Sequence, residues 1–285
     1  MRPSDPSPAV RHVSCRLGFE LAAPAVLGLQ VAAASLAGDI GSEHLEVTVD
    51  RASGAIPIDV VTTTGGGRTH VVRAPAGSLE VRYEATVATG ARVLTEVAAD
   101  VRGTVFDDET IAALRQSRYC PSDTLAGFAG VEFAGVERGP GLGAAIASWV
   151  FERLAYEPGS SGPLDTAVDT LVANAGVCRD FAHVTIALCR ALGVPARLVA
   201  VYAPGLSPMD FHAVVEVRVG HQWEVLDPTR LAPRTSLVRI ATGRDAADTA
   251  FATTLEGEAE LTVCEVSAVS DGDLPADDHR ARVAL

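Results

Sequence analysis

The chain has 285 residues, 48% of them hydrophobic and 21% charged, enough for one large or two ordinary globular domains with a real core. A formal charge of -13 argues against nucleic acid as the main partner, since phosphate neutralisation needs clustered Arg or Lys. All 23 basic residues are Arg, so the protein has no lysine through which to cross-link itself. The five cysteines, Cys15, Cys120, Cys178, Cys189 and Cys264, are widely spaced without a CxxC pair, which disfavours a disulfide framework or a zinc ribbon.

The first eight residues are polar and Pro-rich, with no apolar stretch directly behind them of the kind a secretory signal carries. Residues 21–38 are apolar-rich, but Pro24, Gly28, Gln30 and Asp39 interrupt or bound them, so no membrane span and no membrane partner is expected. The expected location is a reducing cytoplasm.

Up to about residue 100 the pattern is one of strands. Cys15–Leu21, Leu45–Val49 and Leu79–Val87 alternate apolar and polar residues, and Thr64-Gly-Gly-Gly67 reads as a turn. An antiparallel β-sandwich-like module is expected over residues 1–102, with its boundary near Arg102-Gly103. Helical signals follow. Acidic residues precede an apolar start at 107–114, and further helices are predicted over 143–154, 164–173 and from Cys178 onward. Strands are predicted at 197–202, 211–219 and 222–226. Helices followed by sheet give an α+β domain over residues 103–245. A last strand at 259–266 and an acidic end at 271–278, expected to be mobile, make up residues 246–285.

The chemistry concentrates in Gly176-Val-Cys-Arg-Asp-Phe-Ala182. Phe181, Thr185, Leu188 and Leu192 recur at helical spacing, Gly193 stops the helix and Pro195 blocks its continuation. Cys178 therefore opens a helix, where unpaired N–H groups and the dipole favour the thiolate form of a cysteine. His212 follows 34 residues later at the start of an alternating strand, and Asp227 another 15 residues on, ending the next strand. Antiparallel pairing of those strands would let the carboxylate hold one imidazole nitrogen while the other faces the thiol. Asp227-Pro228 is also an ordinary turn opener. A zinc site from the same three residues is disfavoured by the absence of a close ligand pair, so no metal or cofactor is expected.

Other polar residues carry smaller expectations. Asp180, in the first turn, suits a capping role or a place in the cleft. Tyr119 is a candidate oxyanion donor, and Tyr202 and Asp210 flank a loop, 203–209, placed to shape a substrate groove. His183 and Trp223 read as packing residues, as do Cys15, Cys120, Cys189 and Cys264. Glu216 reads either as a group near the site or as the partner of an arginine.

Together Gly176–Ala182, His212-Ala-x-x-Glu216 and Trp223-x-x-x-Asp-Pro-Thr229 resemble the transglutaminase-like superfamily of papain-related cysteine enzymes, especially bacterial members with an extra N-terminal β domain. The resemblance covers roughly Leu164–Leu231. It implies a nucleophile helix packed on an antiparallel sheet, Cys178 as nucleophile, His212 as base and then acid, and Asp227 as the residue orienting His212. The motifs do not separate hydrolysis from transfer; the leading expectation is a thiol amidase or peptidase acting on a peptide or protein amide through an acyl-enzyme. Transfer to an amine from a protein glutamine, and a non-catalytic peptide-binding module on the same fold, remain the alternatives.

Overall fold

The computed structural model describes residues 9–50, 54–94 and 106–285, so the boundary expected near Arg102-Gly103 lies outside the described residues. The chain begins with strands β1 (Val10–Leu21), β2 (Ala25–Leu29), β3 (Gly38–Val49), β4 (Ile58–Thr62), β5 (Arg68–Ala74), β6 (Gly77–Thr89) and β7 (Arg92–Val93). Period-two patterning explains the long ones. Val13, Cys15, Leu17, Phe19 and Leu21 of β1 are buried, and so are Leu79, Val81, Tyr83, Ala85 and Val87 of β6. The apolar-rich stretch after residue 21 is core as well: β2 and residues 31–34 are buried in the same cluster or beside it.

Next come α1 (Asp108–Ala112), α2 (Ala126–Glu132), α3 (Leu142–Arg153), β8 (Ala155–Tyr156), α4 (Ala167–Ala173), β9 (Ala175–Gly176) and α5 (Cys178–Ala191). The acidic start predicted at 107 is a true cap, with Asp107 Oδ1 accepting the Thr110 N–H at 2.8 Å. The remainder is β10 (Ala196–Tyr202), β11 (Phe211–Val219), β12 (Gln222–Leu226), β13 (Val238–Gly243), α6 (Ala246–Thr249), β14 (Ala252–Glu256), β15 (Glu260–Ser270) and β16 (Val283–Ala284). The fold is α+β with mostly antiparallel sheets, as the sequence predicts.

Three four-stranded sheets organise these elements, in the orders β15-β1-β6-β3, β14-β2-β5-β4 and β12-β11-β10-β13. The first two share one apolar core as a sandwich, and strands from the chain's end complete both: β15 pairs along β1, and β14 along β2. The same core takes in Tyr202, Val238 and Ile240 from the third sheet. Helix α5 packs on that third sheet. It is amphipathic in sequence, yet Asp180 through Arg190 are all buried, because α3 and α4 cover the side turned away from the strands. Arg190 is kept inside by carbonyl acceptors, Ala113 O and Ala196 O at 3.0 Å and Arg244 O at 2.7 Å.

Two expectations are corrected here. The acidic end is docked: Asp277 forms a bidentate pair with the buried Arg234, at 2.9 and 2.8 Å, and β16 pairs with β7. Cys264 is exposed: it lies opposite the buried Leu17, but on β15, the edge strand of its sheet, where the core no longer covers it. Glu216 is fully buried between Arg239 (2.5 Å) and Arg197 (2.8 Å), and the Arg197 guanidinium lies 3.8 Å from the centre of the Trp223 ring. Glu216 thus pairs with two arginines, and Trp223 anchors the sheet by cation–π contact.

Candidate active site

A glycine makes the local geometry at the start of α5 achievable. A Cβ on Gly176 would lie 2.6 Å from the Asp180 Cβ, so no larger residue fits without displacing Asp180. With that space free, Asp180 Oδ2 accepts the Val177 N–H at 2.9 Å and satisfies one of the helix's orphan donors. The same oxygen accepts the Ser161 hydroxyl at 2.5 Å, while Asp180 Oδ1 takes Arg179 Nη2 at 2.8 Å. Arg179 also reaches the Gly162 carbonyl at 2.8 Å. Asp180 is completely buried, so its role is to cap the helix and fasten the 157–165 loop beside Cys178, leaving it no place as an open cleft group.

Pairing of β11 with β12 sets the other half. Val215 faces Leu226 in register, which brings His212, near the start of β11, and Asp227, just past β12, to the same edge. His212 Nε2 lies 3.1 Å from Asp227 Oδ2, with both side chains at 0% exposure. The other carboxylate oxygen accepts the Thr229 N–H at 2.9 Å and the Thr229 hydroxyl at 2.7 Å. Asp227 is therefore both the turn opener and the histidine's partner, one oxygen for each.

The electrostatics follow from burial and pairing. Burial pushes the His212 imidazole down, but the Asp227 carboxylate and then Cys178 override it and raise its pKa to about 10. Burial works the opposite way on Asp227, and the His212 charge together with the Thr229 bonds holds that carboxyl below its ordinary value. Nδ1 of His212 is buried and without a geometrically formed hydrogen bond, and Cys178 is the remaining polar group that acts on the ring. Cys178 is partly exposed, whereas burial raises the thiols of Cys15 to about 11 and of Cys120 and Cys189 to about 12.

Two expected cleft residues belong elsewhere. The Tyr119 hydroxyl donates to the Pro163 carbonyl at 3.0 Å and its ring stacks on His183 at 5.1 Å, so its one proton is committed to the loop. Tyr202 is fully buried in the core shared with the sandwich, donating to Val31 O at 2.8 Å and stacked on Tyr83. His183 is largely a packing residue, with Nε2 accepting the Ala246 N–H at 3.2 Å and burial lowering its pKa to about 4.

Tyr156 escaped the sequence reading. It sits on β8, which pairs in parallel with β9 so that Tyr156 lies opposite Gly176, two residues before Cys178. Its ring leans on Phe181 at 5.8 Å, and 41% of the residue is exposed. Burial of the phenol and the charges of Cys178, Asp210 and Asp227 raise its pKa to about 12, against the opposing pull of the Cys178 backbone N–H. A two-residue strand has too short a period to announce itself, and only the preceding helix α3 pointed toward it.

Among the described residues no group of three His, Cys, Asp or Glu side chains is placed to hold a metal ion, and no helix is long and apolar enough to cross a membrane. A family model, that of the transglutaminase-like superfamily, matches residues 141–228, the span from α3 to the residue after Asp227. A solved structure, a candidate cysteine protease from Cytophaga hutchinsonii, is 34% identical, aligns over 97% of each chain and superposes with a TM-score of 0.86. The chain belongs to the transglutaminase-like superfamily. It is also 30% identical over 150 residues to an uncharacterized protein of Mycobacterium leprae, covering 48% of this chain and 52% of that one. The chain thus spans about half the length of that curated relative. That membership supports a cysteine-dependent hydrolase or transamidase family.

Proposed function

We propose that the protein is a thiol hydrolase of peptide or isopeptide amide bonds, with Cys178 as nucleophile, His212 as proton carrier and Asp227 as the group orienting it. The buried His212–Asp227 pair, 3.1 Å long, beside a cysteine at the first position of α5 carries this reading. A buried ion pair whose ring leaves its second nitrogen without a partner is costly unless that nitrogen has work to do. The likeness to a candidate cysteine protease supports the same reaction class.

In the acylation step, Cys178 sulfur forms a bond to the amide carbon and the carbonyl electrons move onto oxygen. As that intermediate collapses, the C–N bond breaks and His212 gives its proton to the departing amine. Water then attacks the thioester, losing a proton to His212; the C–S bond breaks, releasing the acid and returning Cys178 as thiolate beside the imidazolium. The Cys178 backbone N–H, at the dipole end of α5, is one donor to the oxyanion. Tyr156, opposite Gly176 on the β8–β9 pair, is the candidate for the second, and its phenol, with a pKa raised to about 12, carries its proton at neutral pH.

Incubation with a peptide library and an excess of labelled amine, analysed by mass spectrometry, tests the proposal. Free acid products, absent with Cys178→Ala, are expected. Amine adducts in place of acid would make the protein a transamidase, and no product at all would leave the hydrolase reading without support.

A further inference from the structure

Asp227 has two arginines for neighbours and forms an ion pair with neither. A small cavity beside it, about 10 Å³ in volume, is lined by Asp227, Arg230 and Arg234, by Ser148 of α3 and by His279 of the C-terminal segment. Two guanidinium groups therefore border the carboxylate that faces His212, and each is held elsewhere. Arg230 is exposed; it donates from Nη2 to the Ser148 hydroxyl at 3.1 Å and lies 4.1 Å from the centre of the Phe151 ring. Arg234 is buried, and Asp277 takes it. Asp277 Oδ2 accepts the Arg234 backbone N–H at 2.8 Å and Nε at 2.9 Å, while Oδ1 accepts Nη2 at 2.8 Å. The last nitrogen, Nη1, donates to the Val225 carbonyl at 3.2 Å, on the edge strand β12. The segment that brings Asp277 here is fastened along the same strand: Arg282 donates to Glu224 at 2.9 Å, and Val283 is buried in one cluster with Val225. Arg234 and Asp277 both lie beyond residues 141–228, the span shared with the superfamily.

We propose that Asp277 is a positioning residue of the site: by holding the Arg234 guanidinium it reserves the Asp227 carboxylate for His212. The inference rests on the proposed hydrolase, in which Asp227 orients His212. A buried guanidinium that loses its partner turns to another carboxylate within reach, because an uncompensated interior charge is strongly unfavourable. The carboxylate that shares the cavity with Arg234 is Asp227. Its Oδ1 is filled by the two Thr229 bonds, and its Oδ2, bonded to His212, keeps a second lone pair. A charge-assisted bond from Arg234 at that oxygen draws negative charge away from the imidazolium. His279 does not compete in the same way. Burial, with Arg234 and Arg230, holds its imidazole below the ordinary value against the pull of Asp277 and Asp227, so at neutral pH the ring adds no third cation.

The His212 ring reports this arrangement directly, because the Asp227 charge holds its proton. Histidine-labelled full chain is titrated by NMR as wild type, Asp277→Asn and the double variant Arg234→Met with Asp277→Ala, and His212→Gln assigns the resonance. From its raised position near 10, the His212 pKa should fall by about one unit in Asp277→Asn and return to the wild-type value in the double variant. Loss of a merely structural contact lowers the melting temperature without moving this titration. An unmoved His212 in Asp277→Asn overturns the inference, and so does a lowered value in the double variant. Should Asp277→Asn not fold, the double variant carries the test: a wild-type His212 shows that Asp277 is needed only while Arg234 is present, and a lowered one overturns the inference. In a second arm, cleavage of an amide substrate by Asp277→Asn should lose on the order of tenfold in kcat at unchanged KM, with recovery in the double variant. If the titration moves as expected while wild type cleaves no amide, the hydrolase reading fails and the reservation of Asp227 stands. If amides are cleaved and the titration does not move, the reservation fails and the hydrolase stands.

Discussion

His212 and Asp227 meet at 3.1 Å at the edge of the third sheet, both withdrawn from solvent, with Thr229 occupying the carboxylate oxygen that His212 leaves free. An ion pair so enclosed has one geometry available to it. Asp227→Asn should retain that geometry through Thr229 but lose the charge that stabilises the imidazolium, and His212→Gln should remove the proton carrier altogether. Steady-state rates on a cleaved peptide are expected to fall by about 10²–10⁴ in the first and to background in the second. Equal, small effects in both would remove the orienting role of Asp227.

Cys178 should be the first thiol modified by iodoacetamide at pH 6. Cys15, Cys120 and Cys189 are buried and have raised pKa values, and the exposed Cys264 is also raised, by burial and by Asp210. Mass spectrometry of limited labelling gives the order directly. Labelling of Cys264 ahead of Cys178 would contradict it.

The raised His212 pKa gives a pH signature with a definite sign. A histidine whose folded pKa lies near 10, against about 6.5 unfolded, contributes stability that is complete below pH ~6.5 and is lost as pH rises through 10. The gap in urea midpoint between wild type and Asp227→Asn should therefore be widest near pH 6 and narrow toward pH 10. A gap that widens over that range would mean that His212 is neutral in the folded protein.

Arg234 is 2% exposed and Asp277 is its single ion-pair partner among the described residues. Its guanidinium also donates to the Val225 carbonyl at 3.2 Å, two residues before Asp227. Asp277→Ala leaves that arginine buried without a counter-charge and should destabilise the fold by about 3–5 kcal/mol in a urea titration. Arg234→Met with Asp277→Ala together should recover much of that loss. A single Asp277→Ala variant as stable as wild type would show that the C-terminal segment is dispensable to the fold.

Much of the site was legible in one dimension because its logic is local. Gly176, Cys178 and the helix pattern behind them define a thiol at a helix start, and the alternation through His212 and Trp223 defines two strands whose hairpin brings His212 toward Asp227. What the sequence could not determine depends on contacts between distant segments. Tyr156 comes beside Gly176 only because β8 pairs with β9, and Tyr119 is turned away only because Pro163 takes its proton. The alternation of β15 announces a strand, but its place beside β1, some 250 residues earlier in the chain, is set by the sandwich core that both strands close. Tyr202 shows the same limit: its place beside the 203–209 loop predicts a groove residue, while the apolar face of the sandwich draws its ring into the shared core. Periodicity fixes which residues face inward, and only tertiary packing decides which interior receives them.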